Sequence, residues 1–332
     1  MENLILEKKI CFVKKFEINK IIKSKIKKHL KAKIIALICR LNTLSMIKRA
    51  GSGHIGTSMS AMDLMVWIKF FHQKKKKLND INRDIFFSSK GHDAPALYSI
   101  LYALGHISLK SILNLRRIKG LEGHPDISTK GIEANTGSLG MGISKGKGIA
   151  WAKKYLKKSG KVIVLTGDGE LQEGQIYESL QTTFHQKIRN LLVIVDHNKI
   201  QSSLYVKDII DLLDLQKKFK SFGWQVERID GHNFKKIENT LKKFDNKNKK
   251  PKIIIADTIK GKGINKIEHV NVMKKRKSYN WHAGAPSDAD FFNFQLELIK
   301  KINLETKRHL NRNLKFLTIS KSKIQNSVLE IH

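Results

Sequence analysis

The chain has 332 residues, of which 41% are hydrophobic and four are proline, a composition typical of an ordered globular protein with a sizeable core. Its two cysteines, Cys11 and Cys39, are too few for a disulfide framework, which predicts free thiols in a reducing cytoplasm. No uncharged apolar run approaches the roughly 20 residues that a membrane span needs, so we expect no membrane partner.

The net charge of +35 raises the question of nucleic-acid binding, because Lys and Arg neutralise phosphates. However, 54 of the 64 basic residues are Lys and only 10 are Arg, whereas phosphate and base recognition favours the bidentate Arg side chain. The lysines are also spread along the whole chain. We therefore expect no nucleic-acid partner, although a positive field would attract anionic sugar phosphates.

Three Gly-His pairs lie at the ends of predicted elements in the first part of the chain. A helical pattern over residues 34–49 ends in a glycine-rich turn that contains His54. His92 follows a short apolar strand, and His124 lies in a loop. One such histidine is most simply a surface turn residue, but three at element ends, where a doubly wound sheet presents its ligand-binding loops, predict a site.

Two apolar runs in the middle of the chain end abruptly in small or polar residues. The first, residues 163–165, is followed by Gly167, Asp168 and Gly169, and the second, residues 193–195, is followed by Asn198. A helical pattern separates them, which predicts parallel strands of one βαβ unit with Asp168 and Asn198 side by side at the strand ends. Either motif alone is a common turn or helix cap. Together they offer hard oxygen ligands to Mg²⁺ or Ca²⁺ and predict a metal and diphosphate site.

The remaining pattern completes an α/β protein. A glycine-rich segment over residues 136–142 precedes an amphipathic helix, and further helices and strands alternate up to about residue 258. We predict a three-layer α/β/α fold with a mainly parallel sheet. The expected division is a basic amino-terminal arm or helix at 1–30, a cofactor-binding domain at 31–286, and a carboxyl-terminal helix with a basic tail at 287–332.

These motifs together resemble the transketolase family. The similarity is carried by residues 50–64, 88–101, 123–125 with 135–142, 167–174 and 196–200, and by Trp281 with His282, and it runs from about residue 34 to 286. The resemblance implies a thiamine diphosphate-binding fold. Its cofactors would be thiamine diphosphate and Mg²⁺ or Ca²⁺, and the metal ligands would be Asp168, Asn198 and the carbonyl of Ile200.

The resemblance also implies roles for the other site residues. Gly137 would lie near the aminopyrimidine and Leu139 under the thiazolium ring. The cofactor-binding set would be His92, Gly137, Leu139, Gly167, Asp168, Gly169, Asn198 and His282. The catalytic set would be His54, His92, His124, His282 and Glu173. His54 and His282 would face substrate oxygens and the diphosphate, and His92 would contact the diphosphate or a donor hydroxyl. His124 would contact the donor's terminal hydroxyl, and Glu173 would lie close to the cofactor at a subunit interface.

Family members supply the carboxylate that activates the cofactor from a second, pyrimidine-binding domain, for which residues 287–332 leave no room. The resemblance therefore implies a separately encoded amino-terminal subunit that acts with a pyrimidine-binding partner subunit in a heterotetramer. The reaction would be transfer of a two-carbon ketol unit from a ketose phosphate to an aldose phosphate.

Two alternatives stay open at this point. Ile55, where transketolases usually have Pro, and Asp93 after His92 leave room for another thiamine diphosphate carboligase, of the deoxyxylulose phosphate synthase type or from a sugar-biosynthesis branch. A non-catalytic basic binding protein on the same scaffold is the alternative from a different class.

Overall fold

The computed structural model describes residues 9–74, 77–246 and 249–320. Within these ranges the strands, in chain order, are β1 (Lys9–Val13), β2 (Ile85–Ser88), β3 (Val162–Gly167), β4 (Leu191–His197), β5 (Ile200–Gln201), β6 (Leu204–Tyr205), β7 (Gln225–Asp230), β8 (Lys252–Asp257) and β9 (Phe316–Ser320). No helix in the described part of the chain has the length and apolar character that crossing a membrane requires.

The helices alternate with these strands, as the predicted α/β pattern requires. In chain order they are α1 (Lys15–Lys23), α2 (Lys28–Ala50), α3 (Ile55–Ser60), α4 (Met62–Trp67), α5 (Ala94–Leu104), α6 (Leu109–Leu113), α7 (Met141–Tyr155), α8 (Gly174–His185), α9 (Val206–Ile209), α10 (Leu215–Ser221), α11 (Phe234–Asn246), α12 (His269–Val272) and α13 (Asp288–Leu310). A π-helical turn, Ile68–His72, continues α4, and a 3₁₀ turn, Gly169–Gln172, follows β3.

A five-stranded parallel sheet in the order β2-β3-β4-β8-β7 forms the centre of the molecule. Every residue of β3 is buried, as expected for a parallel strand with helices on both faces. Alternate side chains enter opposite cores: Ile163 and Leu165 join the core that includes α2, whereas Val162 and Val164 join the core that includes α8. The predicted three-layer α/β/α fold is confirmed.

The register of β3 against β4 brings the two central motifs together. Gly167 is paired with Asp196 in a parallel ladder, so both strands end at the same edge of the sheet. Asp168 and Asn198 follow directly after these paired positions. The predicted βαβ unit is confirmed, and the residues after its two strands share one edge.

An antiparallel strand pair joins the two ends of the described chain, and the sequence analysis did not anticipate it. β1 pairs with β9 from Lys9 opposite Ser320 to Val13 opposite Phe316. Cys11 is buried, and its backbone N–H donates to Gln295 Oε1 of α13 at 2.8 Å. Pairing between segments so distant in sequence leaves no local periodicity. Residues 1–8 and 321–332 of the predicted arm and tail lie outside the described residues, and the boundaries at 30 and 286 stay predictions.

A buried ion pair connects α2 with α4. Arg40 Nη1 and Nη2 donate to Asp63 Oδ1 and Oδ2 at 2.8 and 3.0 Å. His232 Nδ1 lies 2.7 Å from Asp63 Oδ2, and His232 Nε2 accepts from the N–H of Ile259, which fixes the imidazole tautomer. Burial opposes the charge on Asp63, but Arg40 and His232 outweigh it and hold the pKa of this carboxyl well below its usual range. The network ties two helices to the loop after β7.

Replacing Asp63 should destabilise the fold strongly. Asp63→Ala leaves the buried guanidinium of Arg40 without its partner, so we expect the free energy of unfolding to fall by about 3–5 kcal/mol. Urea denaturation followed by circular dichroism measures this difference. The control is Glu178→Ala, which removes an exposed carboxylate and should change stability by no more than about 0.5 kcal/mol. Equal losses in the two variants would contradict a structural role for the pair.

Candidate functional site

A cavity of about 340 Å³ lies at the carboxyl ends of the parallel strands. It gathers all the residues that the sequence analysis placed in the site except Glu173. Those that line it are His54, His92, His124, Gly137, Leu139, Gly167, Asp168, Gly169, Asn198, Ile200 and His282. They come from seven separate segments of the chain, which the parallel sheet brings to one edge.

The polar groups after β3 and β4 form the floor of this cavity. Asp168 is 2% exposed, and its Oδ1 and Oδ2 accept from the N–H groups of Gly169 at 2.8 Å and Lys199 at 2.5 Å. Asn198 Oδ1 accepts from the N–H of Ile200 at 3.1 Å. Burial raises the pKa of Asp168, since among the described residues no cationic side chain forms an ion pair with it. The site therefore has a buried carboxylate whose charge a bound cation would compensate.

The donor set at this floor is suited to a hard divalent cation. No group of three or more His, Cys, Asp and Glu side chains in the described ranges could hold a metal. The residues here instead combine one carboxylate, one amide and one backbone carbonyl, which are ligands that Mg²⁺ and Ca²⁺ accept. The carbonyl of Ile200 already accepts from Lys260 Nζ at 3.0 Å, so positive charge is stabilised at this point. These residues fit a metal and diphosphate site.

Three histidines form a cluster above the floor. The ring centroid of His54 lies 5.1 Å from that of His92 and 5.2 Å from that of His282. Burial, with nearby positive charges, lowers the pKa of His54 and of His282 to about 4, and the pKa of His92 lower still. All three imidazoles are therefore neutral at pH 7. His54 Nδ1 is buried with no hydrogen-bond partner among the described residues, which leaves it free for a ligand.

The fourth histidine, His124, packs against the glycine-rich loop. A Cβ added at Gly137 would lie 2.9 Å from His124 Cδ2, and Gly137 has φ +136°, so only glycine suits this close approach. The carbonyl of His124 accepts from Tyr98 Oη at 3.1 Å. Leu139, on the same loop, is 41% exposed despite its apolar side chain. The loop thus places an imidazole and an apolar surface at the cavity wall.

Two lysines in the cavity were missed by the sequence analysis. Lys90 Nζ is buried and donates to Thr57 Oγ1 at 2.9 Å and to Asp196 Oδ2 at 2.7 Å, with Asp93 Oδ2 at 3.3 Å. Burial opposes its charge, but Asp196 and Asp93 outweigh burial and raise the pKa of Lys90. Burial lowers the pKa of Lys260 to about 8. The available signal was position, because Lys90 and Lys260 each follow a strand end and precede glycine.

Glu170 and Glu173 occupy different environments. Glu170 is buried and lines the cavity, and its carboxylate accepts from the N–H groups of Gly140 at 2.9 Å and Gly167 at 3.2 Å. It also accepts from Thr166 Oγ1 at 2.7 Å and so fastens the glycine-rich loop to the end of β3. Glu173 is exposed at the start of α8, outside the cavity lining. Its predicted catalytic role stays a prediction.

Comparison with known proteins gives the family. The profile of the family described as "Transketolase, thiamine diphosphate binding domain" matches residues 31–275. The chain belongs to this family. The match covers the segments that carry the cavity residues up to Lys260, whereas Trp281 and His282 lie beyond it.

Curated transketolases include both short and long relatives of this transketolase-family chain. One of the separately named subunits of apulose-4-phosphate transketolase, from Phocaeicola vulgatus, is 35% identical over 79% of this chain and 92% of its own length. The 6-deoxy-6-sulfo-D-fructose transketolase subunit SqwG from Clostridium sp. is 35% identical over 69% of this chain and 84% of its own length. Human transketolase is 36% identical over 69% of this chain but only 37% of its own length.

Solved transketolase structures share the fold. The transketolase of Campylobacter jejuni superposes with a TM-score of 0.71 at 27% identity and is matched over 91% of this chain. The present chain spans only 46% of that solved chain. The likeness thus concerns one part of the longer transketolase.

Removal of the carboxylate at the floor should abolish cofactor binding. Asp168→Ala deletes the anionic ligand of a divalent ion, so we expect thiamine diphosphate affinity to collapse and excess Mg²⁺ to restore it poorly. Calorimetric titration measures the affinity. His124→Ala is the matched cavity variant, and its cofactor affinity should be nearly unchanged because its imidazole is assigned to the donor sugar. Normal binding by Asp168→Ala, or equal loss in both, would contradict this placement.

Proposed function

We propose that this chain is the thiamine diphosphate-binding subunit of a split transketolase. The reaction is transfer of a two-carbon ketol unit from a ketose phosphate to an aldose phosphate. The observation that supports it most strongly is the gathering of Asp168, Asn198 and four histidines around one cavity at the ends of β3 and β4. Transketolase family membership supplies the reaction class.

The cavity floor would hold the cofactor. Thiamine diphosphate, when bound, supplies a carbon nucleophile for the donor carbonyl and accepts the electrons of the broken carbon–carbon bond. Asp168, Asn198 and the Ile200 carbonyl would hold the divalent ion against the diphosphate. His92 and His282 would contact the diphosphate, and the ammonium of Lys260, 3.3 Å from His282 Nδ1, adds positive charge on the same side.

The histidines would manage the protons and hydroxyls of the donor. A neutral imidazole accepts a proton or donates a hydrogen bond without adding charge to the site, and the lowered pKa values of His54 and His282 favour this form at pH 7. His54 would face the donor oxygens, with its buried Nδ1 free to bond with them. His124, on the opposite wall beside Gly137, would contact the terminal hydroxyl.

Named relatives support the need for a second chain. Two of them are called transketolase subunits, and this chain matches 84–92% of their lengths. The proposed partner carries the pyrimidine-binding domain and its activating carboxylate, and two copies of each chain would form the heterotetramer. In that assembly, the exposed Glu173 would lie at the interface near the cofactor.

The names of the relatives also favour this reaction over the alternatives. Each curated relative described above is a transketolase or one of its subunits, which favours ketol transfer over a deoxyxylulose phosphate synthase type of carboligation. Their substrates differ, since one name specifies apulose 4-phosphate and another a sulfonated fructose. We therefore assign this chain a phosphorylated ketose donor as a class. A cytoplasmic location is part of the proposal.

Reconstitution tests the split enzyme. The purified chain alone should bind thiamine diphosphate weakly and show no ketol transfer, because the activating carboxylate is missing. Co-expression with the pyrimidine-binding subunit should produce turnover, which a panel of ketose phosphates and aldose acceptors detects as donor consumption. Robust transfer by the chain alone would refute the proposed division of labour.

A matched variant sharpens the same experiment. In the reconstituted complex, His124→Ala should lower transfer by about 10²- to 10⁴-fold, the usual effect of losing a general acid or base. Glu178→Ala, on the exposed side of α8, tests whether any loss arises from assembly instead. Transfer at the parental rate with His124→Ala would remove this histidine from the donor site.

A further inference from the structure

A second cavity lies at the opposite end of the sheet from the catalytic one. Its volume is about 360 Å³, and it shares no described lining residue with the catalytic cavity. It is bounded by α1, the π-helical turn after α4, the end of α5 and the residues just before β2. One wall is apolar and consists of Ile22, Phe70, Leu78, Ala103 and Leu104.

The polar wall of this second cavity centres on Lys69. This lysine lies in the π-helical turn Ile68–His72, which the N–H of Gln73 closes by donating to the carbonyl of Ile68 at 2.9 Å. Turns of this kind are rare and often occur at functional sites. The ammonium of Lys69 makes no hydrogen bond or ion pair with any described residue, and its nearest aromatic contact is the Phe86 ring, 5.9 Å away. A mostly buried cation thus lines the cavity without a partner.

The carboxylates in the same cavity are already engaged. Glu133 Oε1 and Oε2 each accept from Arg83 at 2.6 Å. Asp84 accepts from the backbone N–H groups of Lys74 at 3.1 Å and Lys161 at 2.8 Å. The charge of Lys69 is therefore not compensated by a direct contact.

The ionisation of the groups facing Lys69 is consistent with this arrangement. Burial lowers the pKa of Lys69 to about 8, with Glu133 acting against the shift and Arg83 adding to it. Burial, and then the charge of Lys69, lower the pKa of His106. His106 is therefore neutral at pH 7, while most of Lys69 is charged. The exposed Lys74 and the engaged Asp84 are the other charged groups at the rim.

We propose that this cavity binds a small organic carboxylate, with its carboxylate on the Lys69 ammonium and its carbon skeleton against the apolar wall. The volume lies at the lower end of the range for small-molecule sites, so the ligand has a compact body. One unpaired ammonium beside an apolar wall suits a carboxylate better than a phosphate, since the guanidinium of Arg83 is already held by Glu133. The ligand class follows from these contacts alone.

Benzoate is the probe, and calorimetry with the full chain at pH 7 is the measurement. Lys69→Met keeps the length and apolar character of the side chain but removes its charge, so benzoate affinity should fall about tenfold or more, the scale of one hydrogen bond to a charged group. The control Lys110→Met removes an exposed lysine from α6 and should leave the affinity unchanged. The neutral analogue benzamide should bind the parent chain at least about tenfold more weakly than benzoate.

The pH dependence of the parent chain gives an independent test that needs no variant. Benzoate should stabilise the charged form of Lys69, so binding near pH 8 should take up protons and the affinity should fall as pH rises further. Titrations in buffers of different ionisation enthalpy measure the proton uptake. An affinity that is unaffected by Lys69→Met or the same at pH 7 and pH 9.5 would overturn the proposal. Equal binding of benzamide or phosphate, or displacement of benzoate by thiamine diphosphate, would overturn it as well.

Discussion

The parallel pairing of β3 with β4 is the constraint on which the site depends. Because Gly167 lies opposite Asp196 in this ladder, the residues after both strands emerge at one edge, and the Asp168 carboxylate is buried beside Asn198. A buried carboxylate without a cationic partner costs stability, and backbone N–H groups alone do not neutralise it. A metal-bound diphosphate would supply the missing charge, so the arrangement is stabilised by the ligand that it would bind.

The charges around this edge are graded from the interior outward. Lys90 lies between Asp93 and Asp196 in the interior, and the two carboxylates together outweigh its single charge. Next to the cavity, burial holds the histidine cluster neutral and weakens the charge on Lys260. The positive potential for anionic ligands thus comes from a few placed lysines, and the net charge of +35 is a property of the whole chain.

Local pattern predicted the parts of the site that are contiguous in sequence. Continuous apolar runs predicted β3 and β4, and Gly-His pairs at element ends predicted the loops of His54, His92 and His124, because strand length and glycine positions are encoded locally. Lys90 and Lys260 were missed, since a lysine in a lysine-rich chain carries no distinguishing signal. The β1–β9 pair and the cavity of Lys69 depend on contacts between distant segments, which periodicity does not contain.

The most direct measurement is anomalous diffraction from crystals of the chain grown with thiamine diphosphate and Mn²⁺. The account predicts one strong Mn²⁺ peak at the ends of β3 and β4. The ion should lie within roughly 2.0–2.6 Å of oxygens of Asp168, Asn198 and Ile200, with the diphosphate completing its coordination. An ion that contacts neither Asp168 nor Asn198, or a cofactor bound outside this cavity, would contradict the assignment of the site.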